Sequence, residues 1–261
     1  LLLLVMIIFQ IFYHKSKIVN IIVKSLVGIV VALFVLHTLG LIWRWYLSGH
    51  APWSDAYESL IYVAWSLMLF GLLLAYNRQI IPNKFSFKSL VPFYGLFEKR
   101  SSDLTVAASA FVTSMILMIA HWNWMDPAIA NLQPVLQGYW LMIHVSVIVA
   151  SYGPFTLGMI LGVVSLLLMI FTTEKNKKRM DINIKELTII NEMALTVGLI
   201  MLTIGNFLGG MWANESWGRY WGWDPKETWA LISIMIYAFV IHMRLVPGLR
   251  GRWIFSLMSV I

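Results

Sequence analysis

The densest group of residues that could bind a ligand is segment 217–229, which reads WGRYWGWDPKETW. Four aromatic rings crowd its first seven residues, and glycine at two positions between them lets a ligand approach the backbone closely. Arg219 and Lys226 place positive charge beside a helix N-terminus, which itself attracts anions. These properties match a flat apolar macrocycle that carries carboxylate side groups.

The second half of this segment also has a purely structural interpretation. Asp224 as N-cap, Pro225 at the first helical position and Glu227 three residues after the cap predict a capping box that starts the next helix. Capping and ligand binding are therefore equal alternatives for Asp224 and Glu227. The first half, 217–223, has no such structural interpretation.

The elements that must position this segment are membrane-spanning helices. The chain has 261 residues, of which 60% are hydrophobic and 12% charged, and its mean hydropathy is +0.78. A soluble domain carries about 25% charged residues, so an ordinary globular enzyme is excluded. Apolar stretches long enough to span a bilayer lie at residues 21–43, 57–77, 104–121, 139–171, 187–210 and 228–246.

We therefore predict an all-α polytopic membrane protein, a single transmembrane domain over 1–261, with six complete spans. Residues 1–13 and 253–261 are apolar but too short to cross alone, so we expect a partial helix at each end. The first residue is Leu and no charged n-region precedes 1–13, which argues against a signal peptide. The sequence is therefore interpreted as a fragment of a longer protein.

The loops predict the orientation, because cytoplasmic loops retain Lys and Arg. Sixteen of the 19 basic residues fall on one side of the six predicted spans, and the opposite loops hold only Arg44, Arg219 and Lys226. The net charge of +7 is therefore a topology signal rather than a sign of nucleic-acid binding, and the expected partner is a lipid bilayer. Segment 78–103 is either an interfacial amphipathic stretch or a plain cytoplasmic connector.

Tryptophan is concentrated on the opposite, outward side. Of 13 Trp, 11 lie in or just beneath the outward loops: Trp43, Trp45, Trp53, Trp65, Trp122, Trp124, Trp140, Trp212, Trp217, Trp221 and Trp223. An aromatic belt would place Trp at both interfaces. The asymmetry predicts an aromatic platform for a large, flat, apolar ligand on the extracytoplasmic face.

Three sequence segments resemble a known family. The stretch WGRYWGWDPKETWALI is similar to the tryptophan-rich "WWD" signature of heme-handling proteins, and its second half resembles the CcsA or ResC half of System II cytochrome c synthases, which also occur as fused CcsBA proteins. GHAP at 49–52 with YESL at 57–60, and LQGYWL at 136–141 leading into His144, agree with that family. Here the WWD segment corresponds to residues 211–229.

The resemblance implies a function. Members of the family move heme b to the outer face, hold it over the WWD segment and join it by thioether bonds to the Cys-x-x-Cys-His motif of apocytochrome c. It implies heme contacts for Trp217, Gly218, Arg219, Tyr220, Trp221, Gly222, Trp223, Asp224 and Lys226. The reacting thiols belong to the apocytochrome, so the absence of Cys from this chain is compatible with the activity.

Two of the six histidines are the candidate heme-iron ligands, since imidazole is a common axial ligand. His144, near the outward end of its helix, matches the external heme histidine of the family. His242, near the inner end of the helix that follows the WWD segment, matches the intramembrane histidine thought to hold heme during transfer. The family's second external histidine and the partner of His242, on a CcsB-like portion, are expected outside this sequence.

The other histidines receive weaker interpretations. His50 could bond a heme propionate or order its loop, and these alternatives are equal. His37 and His121 are expected to be helix-packing residues, and His14 receives no role. Glu192 is expected to be a buried carboxylate that pairs with His242 or an Arg near the inner face, with a transfer role and a packing role equally open.

The resulting hypothesis is a heme lyase, a holocytochrome c synthase of the bacterial cytoplasmic membrane. No residue is an obvious general base, so no catalytic residue is assigned. The main alternative is a heme exporter or chaperone without ligation activity. A bis-histidine membrane cytochrome fits the sequence less well, because no two histidines fall at one mid-membrane depth. A transporter of another apolar anion does not explain as well a tryptophan cluster with two interleaved glycines.

Overall fold

The computed structural model describes residues 1–12, 17–75, 102–129 and 138–261. The helices in this part of the chain are α1 Leu2–Phe12, α2 Lys17–Ser48, α3 Ala56–Ala75, α4 Asp103–Ile119, α5 Tyr139–Ile170, α6 Lys177–Trp217, α7 Pro225–His242 and α8 Arg252–Val260. A π-helical turn, Ala120–Trp124, extends α4, and a 3-10 turn, Met243–Leu245, follows α7. Most of segment 78–103 lies outside the described residues, and its last residue begins α4.

Six of these helices are long and apolar enough to cross a bilayer, as the hydropathy pattern predicts. The protein is a multi-pass membrane protein. The helices α1 and α8, with 11 and 9 residues, are too short to span alone, which confirms the expected partial helices. Because successive spans alternate in direction, the α2–α3, α4–α5 and α6–α7 connections lie at one end, called here the Trp-rich end.

The helix α6 is longer than the sequence pattern predicts. Its apolar stretch suggests an end near residue 210, whereas the helix continues to Trp217 and has 41 residues. At 1.5 Å per residue it is about 60 Å long, roughly twice the thickness of the hydrocarbon core. The extra turns carry polar residues such as Asn214 and Glu215, which hydropathy does not recognise as helix.

The helix α5 lies at the centre of the bundle, packed along α6 and against α3 and α8. Small residues allow the close approach, as is common between membrane helices. A Cβ on Gly153 would collide with the Ser66 side chain and with backbone of α3, and one on Gly158 would collide with Leu195 of α6. In contrast, only 17% of the apolar stretch of α2 and 11% of that of α7 are buried in the bundle.

Candidate functional site

The connection between α6 and α7 is built by two caps. Gly218 ends α6 in the left-handed conformation, with φ of +68°, which glycine adopts without a Cβ penalty. The predicted capping box at the start of α7 is confirmed: the Asp224 side chain accepts from the Glu227 amide, with oxygen and nitrogen 2.9 Å apart, and the Glu227 carboxylate accepts from the Asp224 amide. These caps fix both ends of a short loop, 218–224.

Within this loop, Gly222 takes part in two contacts with other residues of the segment. Its amide donates to the Glu227 carboxylate, with 2.7 Å between nitrogen and oxygen. Its missing Cβ leaves room for the Arg219 guanidinium, which would otherwise occupy the same space. Gly218 and Gly222 therefore have structural reasons of their own, and their contact with a ligand stays a prediction.

The aromatic rings of the segment form an exposed apolar surface. The exposed fractions are 61% for Trp217, 65% for Tyr220, 72% for Trp223 and 67% for Trp229. Trp221 lies deeper and meets Trp223 edge to face, with ring centroids 5.6 Å apart, and its buried indole N–H has no hydrogen-bond partner in the described part of the chain. The rings are therefore not part of a packed core, and a ligand-binding role for this surface stays a prediction.

Two cations accompany this aromatic surface. Arg219 and Lys226 are exposed, and neither forms an ion pair with any residue that the structure describes. Because no described carboxylate neutralises them, they offer positive charge to an anionic group at the edge of the aromatic surface.

His144 lies in the second turn of α5 and is 8% exposed. Its Nδ1 lies 2.8 Å from the Trp140 carbonyl oxygen. A carbonyl oxygen can only accept, so this contact places the ring proton on Nδ1 and leaves the lone pair on Nε2. Nε2 makes no hydrogen bond to the described residues. This is the tautomer that a metal-ligating histidine requires.

The structure brings His144 close to the end of α6 that leads into the aromatic segment. The Trp212 ring lies 5.4 Å from the His144 ring, measured between centroids. Gly209 faces the same imidazole, since a Cβ there would lie 3.3 Å from His144 Cδ2, and a Cβ on Gly210 would lie 3.2 Å from the Tyr220 carbonyl oxygen. A short stretch of α6 thus touches both His144 and the loop.

His242 lies at the opposite end of α7 from the aromatic segment, about 25 Å along the helix. Its Nδ1 is 2.7 Å from the Ala238 carbonyl oxygen, and its side chain is exposed. As for His144, the bond to a carbonyl leaves Nε2 with its lone pair. The two candidate ligands therefore belong to two separate sites.

A buried ion pair near His50 was not recognised as part of the site from the sequence. Glu58 is fully buried, and its Oε1 accepts from Arg44 Nε at 2.8 Å. Arg44 also donates to the Pro127 carbonyl, joining two connections at the Trp-rich end. His50 Nδ1 lies 3.2 Å from the Ala51 carbonyl and 3.7 Å from Glu58, so His50 takes part in ordering its loop. Its buried Nε2 has no partner in the described chain, and a bond from His50 to a propionate stays a prediction. The sequence feature that could have indicated this pair is an ionisable residue, Glu58, inside an apolar helix.

The remaining candidates have mixed outcomes. His37 is half-buried on α2, in agreement with a packing role. His121 is exposed in the π-helical turn, so the packing expectation is wrong there. Glu192 pairs with Arg244 Nε at 3.1 Å, as one alternative predicted, but it is 37% exposed rather than buried. Its position near the end of the apolar stretch explains the exposure. His14 lies outside the described residues.

Comparison with known proteins identifies the family. Residues 53–261 match the family model described as cytochrome C assembly protein. The chain belongs to this family. It is 34% identical over 239 residues to the cytochrome c biogenesis protein CcsA of Prochlorococcus marinus strain MIT 9215, covering 82% of this chain and 70% of that protein. It is 30% identical over 267 residues to CcsA of Solanum lycopersicum, covering 90% of this chain and 78% of that protein.

A further relative of this cytochrome c assembly chain is much longer. Protein NrfI of Wolinella succinogenes is 47% identical over 228 residues, which is 87% of this chain but 22% of NrfI. The chain therefore spans less than a quarter of the length of this relative. The family match includes α3 to α8 and thus His144, His242 and the whole aromatic segment.

Proposed function

We propose that this chain is the heme-binding part of a heme lyase, a cytochrome c synthase that attaches heme b to the Cys-x-x-Cys-His motif of apocytochrome c. The proposal places the Trp-rich end on the extracytoplasmic face of a bacterial cytoplasmic membrane. It also assigns a CcsB-like portion, fused or separate, as the partner of this chain. Membership of the cytochrome c assembly family and the motif resemblance support the proposal.

The single observation that carries the proposal is the state of His144. Its ring is held by the Trp140 carbonyl through Nδ1, and its Nε2 lone pair is left without a hydrogen bond in the described chain. This Nε2 is not among the buried polar atoms that lack a partner in the described chain, so the atom is accessible to a ligand. Iron is a chemically suitable acceptor of this lone pair, so the residue fits an axial ligand of heme.

The aromatic segment fits the rest of the same heme molecule. Trp217, Tyr220 and Trp223 offer exposed rings to a flat apolar face. The cations of Arg219 and Lys226 suit the two propionates, which carry the only charges of the porphyrin edge. Heme enters this account as a substrate, and the chain holds it at the aqueous end of the bundle where an apocytochrome has access.

At the other end of α7, His242 would receive heme before it reaches the outer site. Its exposed imidazole has the same tautomer as His144, and it lies about 25 Å along α7 from the aromatic segment. A second ligand for the iron there would come from the CcsB-like portion. The distance requires heme to move along α7 rather than to bridge the two histidines.

The residues of this chain promote thioether formation mainly by orientation. In the reaction each cysteine thiol adds across a vinyl group, so that sulfur bonds one vinyl carbon and the thiol hydrogen ends on the other. Holding the vinyl groups at a fixed place for the thiols supplies a large part of the rate enhancement in such reactions. No side chain of this chain is assigned a proton-transfer role.

The proposal is tested on the complete protein, purified from a membrane, with a His144→Ala variant. Heme content is measured as the pyridine hemochrome, and attachment is measured as covalent heme on a co-expressed apocytochrome. We expect His144→Ala to lose heme from the outer site and to lose covalent product, while His121→Ala, which alters an exposed histidine, leaves both unchanged.

Two outcomes would redirect the assignment. Heme that is retained by wild type and lost in His144→Ala, without covalent cytochrome from either, favours an exporter or chaperone of heme. Unchanged heme content and an unchanged visible spectrum in His144→Ala contradict the ligand role outright.

A further inference from the structure

The loop between α2 and α3 reaches across to the helix that carries His144. Trp53 in this loop donates its indole N–H to the Met142 carbonyl, with nitrogen and oxygen 3.1 Å apart. The two residues are 89 positions apart in sequence, and Met142 precedes His144 by two residues. The first turns of α5 are therefore bonded to a side chain from a different connection.

Trp53 is itself fixed in place by its neighbours. Its ring lies 5.5 Å from the Trp45 ring and 4.8 Å from the Tyr62 ring, measured between centroids. Its backbone amide donates to the Ala51 carbonyl, and its own carbonyl accepts from the Ser59 hydroxyl. An indole confined by packing and by backbone bonds gives its N–H a defined direction.

The loop is in turn anchored by the buried carboxylate of Glu58. Its Oε1 accepts from Arg44 Nε at 2.8 Å and its Oε2 from the Ser54 amide at 3.1 Å. Ser54 directly follows Trp53, so the ion pair and the indole bond belong to one continuous arrangement. Removal of the carboxylate would release the residue next to the indole.

The imidazole of His144 has little freedom relative to its own helix, because Nδ1 is bonded to the Trp140 carbonyl one turn earlier. The position of Nε2 therefore follows the position of α5. On one side α5 is limited by α6 through Gly209 and Trp212, and the Trp53 indole bonds it from the α2–α3 loop. We propose that Trp53 is a positioning residue that sets the place of the His144 lone pair, an inference that rests on the proposed ligand role of His144.

The test uses the complete protein with bound heme and the variants Trp53→Phe, Trp253→Phe and His144→Ala. Trp53→Phe removes the indole donor but keeps an aromatic ring. Trp253→Phe is the matched control, since Trp253 is exposed on α8 and makes no ring contact with Trp53. The measurements are the visible and EPR spectra, which separate low-spin from high-spin heme, and the reduction potential.

We expect Trp53→Phe to shift the equilibrium between low-spin and high-spin heme toward high spin by up to about fivefold, the limit set by the energy of one neutral hydrogen bond. Trp253→Phe should keep the wild-type spectrum. Free imidazole should restore the low-spin spectrum of Trp53→Phe, because it ligates iron without being tied to α5. A loss of structure alone would not be corrected by imidazole.

Each result has a distinct meaning. A wild-type spectrum and potential in Trp53→Phe, with heme lost in His144→Ala, overturns the positioning role and leaves the proposed function intact. An altered spectrum that imidazole does not restore, or that Trp253→Phe reproduces, also overturns it. An unchanged spectrum in His144→Ala overturns the ligand assignment and with it this inference.

Discussion

Arg44 and Glu58 form an ion pair whose nitrogen and oxygen lie 2.8 Å apart, and the carboxylate is fully buried while the guanidinium is 15% exposed. Arg44 also holds the Pro127 carbonyl, and Glu58 holds the Ser54 amide. The pair therefore connects the end of α2, the start of α3 and two connections at the Trp-rich end. It contributes to the architecture around His144 without belonging to the aromatic surface.

Replacement of Glu58 by Gln should lower the free energy of unfolding by up to about 3 kcal/mol, the lower end of the cost of breaking a buried pair, because Arg44 loses its nearer counter-charge and keeps only Asp55, at 3.9 Å. Unfolding by a denaturing detergent in mixed micelles measures this change. The matched control is Glu192→Gln, which breaks a pair whose two side chains are 24% and 37% exposed and should cost at most about 1 kcal/mol. Equal losses in the two variants would contradict the structural role given to the Arg44 pair.

The capping box at the start of α7 gives a local prediction. Asp224→Ala should destabilise the helix start by about 1 kcal/mol, since the Glu227 amide loses its acceptor. Hydrogen exchange measured by mass spectrometry should become faster in the peptide that contains the first turn of α7 and remain unchanged in α5. Asp224→Asn is the control, because asparagine is an equally good N-cap. Similar exchange in Asp224→Ala and Asp224→Asn would show that the cap contributes little.

Glycine positions in the helices allow a paired test of packing. A Cβ on Gly153 would lie 2.6 Å from the Leu67 amide nitrogen of α3, whereas a Cβ on Gly40 would meet nothing within 4 Å. Gly153→Ala should therefore lower the free energy of unfolding by about 1–3 kcal/mol through overpacking. Gly40→Ala should raise it by up to about 1 kcal/mol through helix propensity. If both substitutions change the free energy of unfolding in the same direction, α3 and α5 do not approach each other closely at Gly153.

Features encoded locally could be predicted from the sequence. The six spans follow from long apolar runs, and the start of α7 follows from Asp224, Pro225 and Glu227, whose spacing is sufficient for a capping box. The sequence pattern does not predict the extension of α6 to Trp217, because the last turns of this helix are polar. A hydropathy profile detects only residues that are apolar enough to lie in the bilayer.

Features that depend on tertiary placement could not be predicted. The bond between Trp53 and Met142 joins residues 89 positions apart, and no periodicity in either segment indicates it. The ionisable residues Arg44 and Glu58 were visible individually, but their pairing depends on how α2 meets α3. His144 was selected by its depth and by family resemblance, whereas the free lone pair on Nε2 became apparent only with the Trp140 contact.

The two cations beside the aromatic surface give a prediction that separates charge from shape. Arg219→Gln and Lys226→Gln should each weaken heme binding about tenfold or more, because a hydrogen bond to a charged group contributes about 1.5–3 kcal/mol and both cations lack an ion-pair partner among the described residues. Titration of heme into the apoprotein in detergent, followed by absorbance, measures the affinity.

The dimethyl ester of heme, which keeps the macrocycle and the vinyl groups but lacks the propionate charges, provides the control for these two variants. Wild type should bind the ester more weakly than heme, and each Gln variant should bind the ester with wild-type affinity, since the charge that it lost has no counterpart on this ligand. If the Gln variants weaken heme and its ester equally, Arg219 and Lys226 act through the shape of the loop. That outcome is physically reasonable for Arg219, whose guanidinium packs on Gly222, so Lys226, which is exposed on the first turn of α7, is the more direct test of a propionate contact.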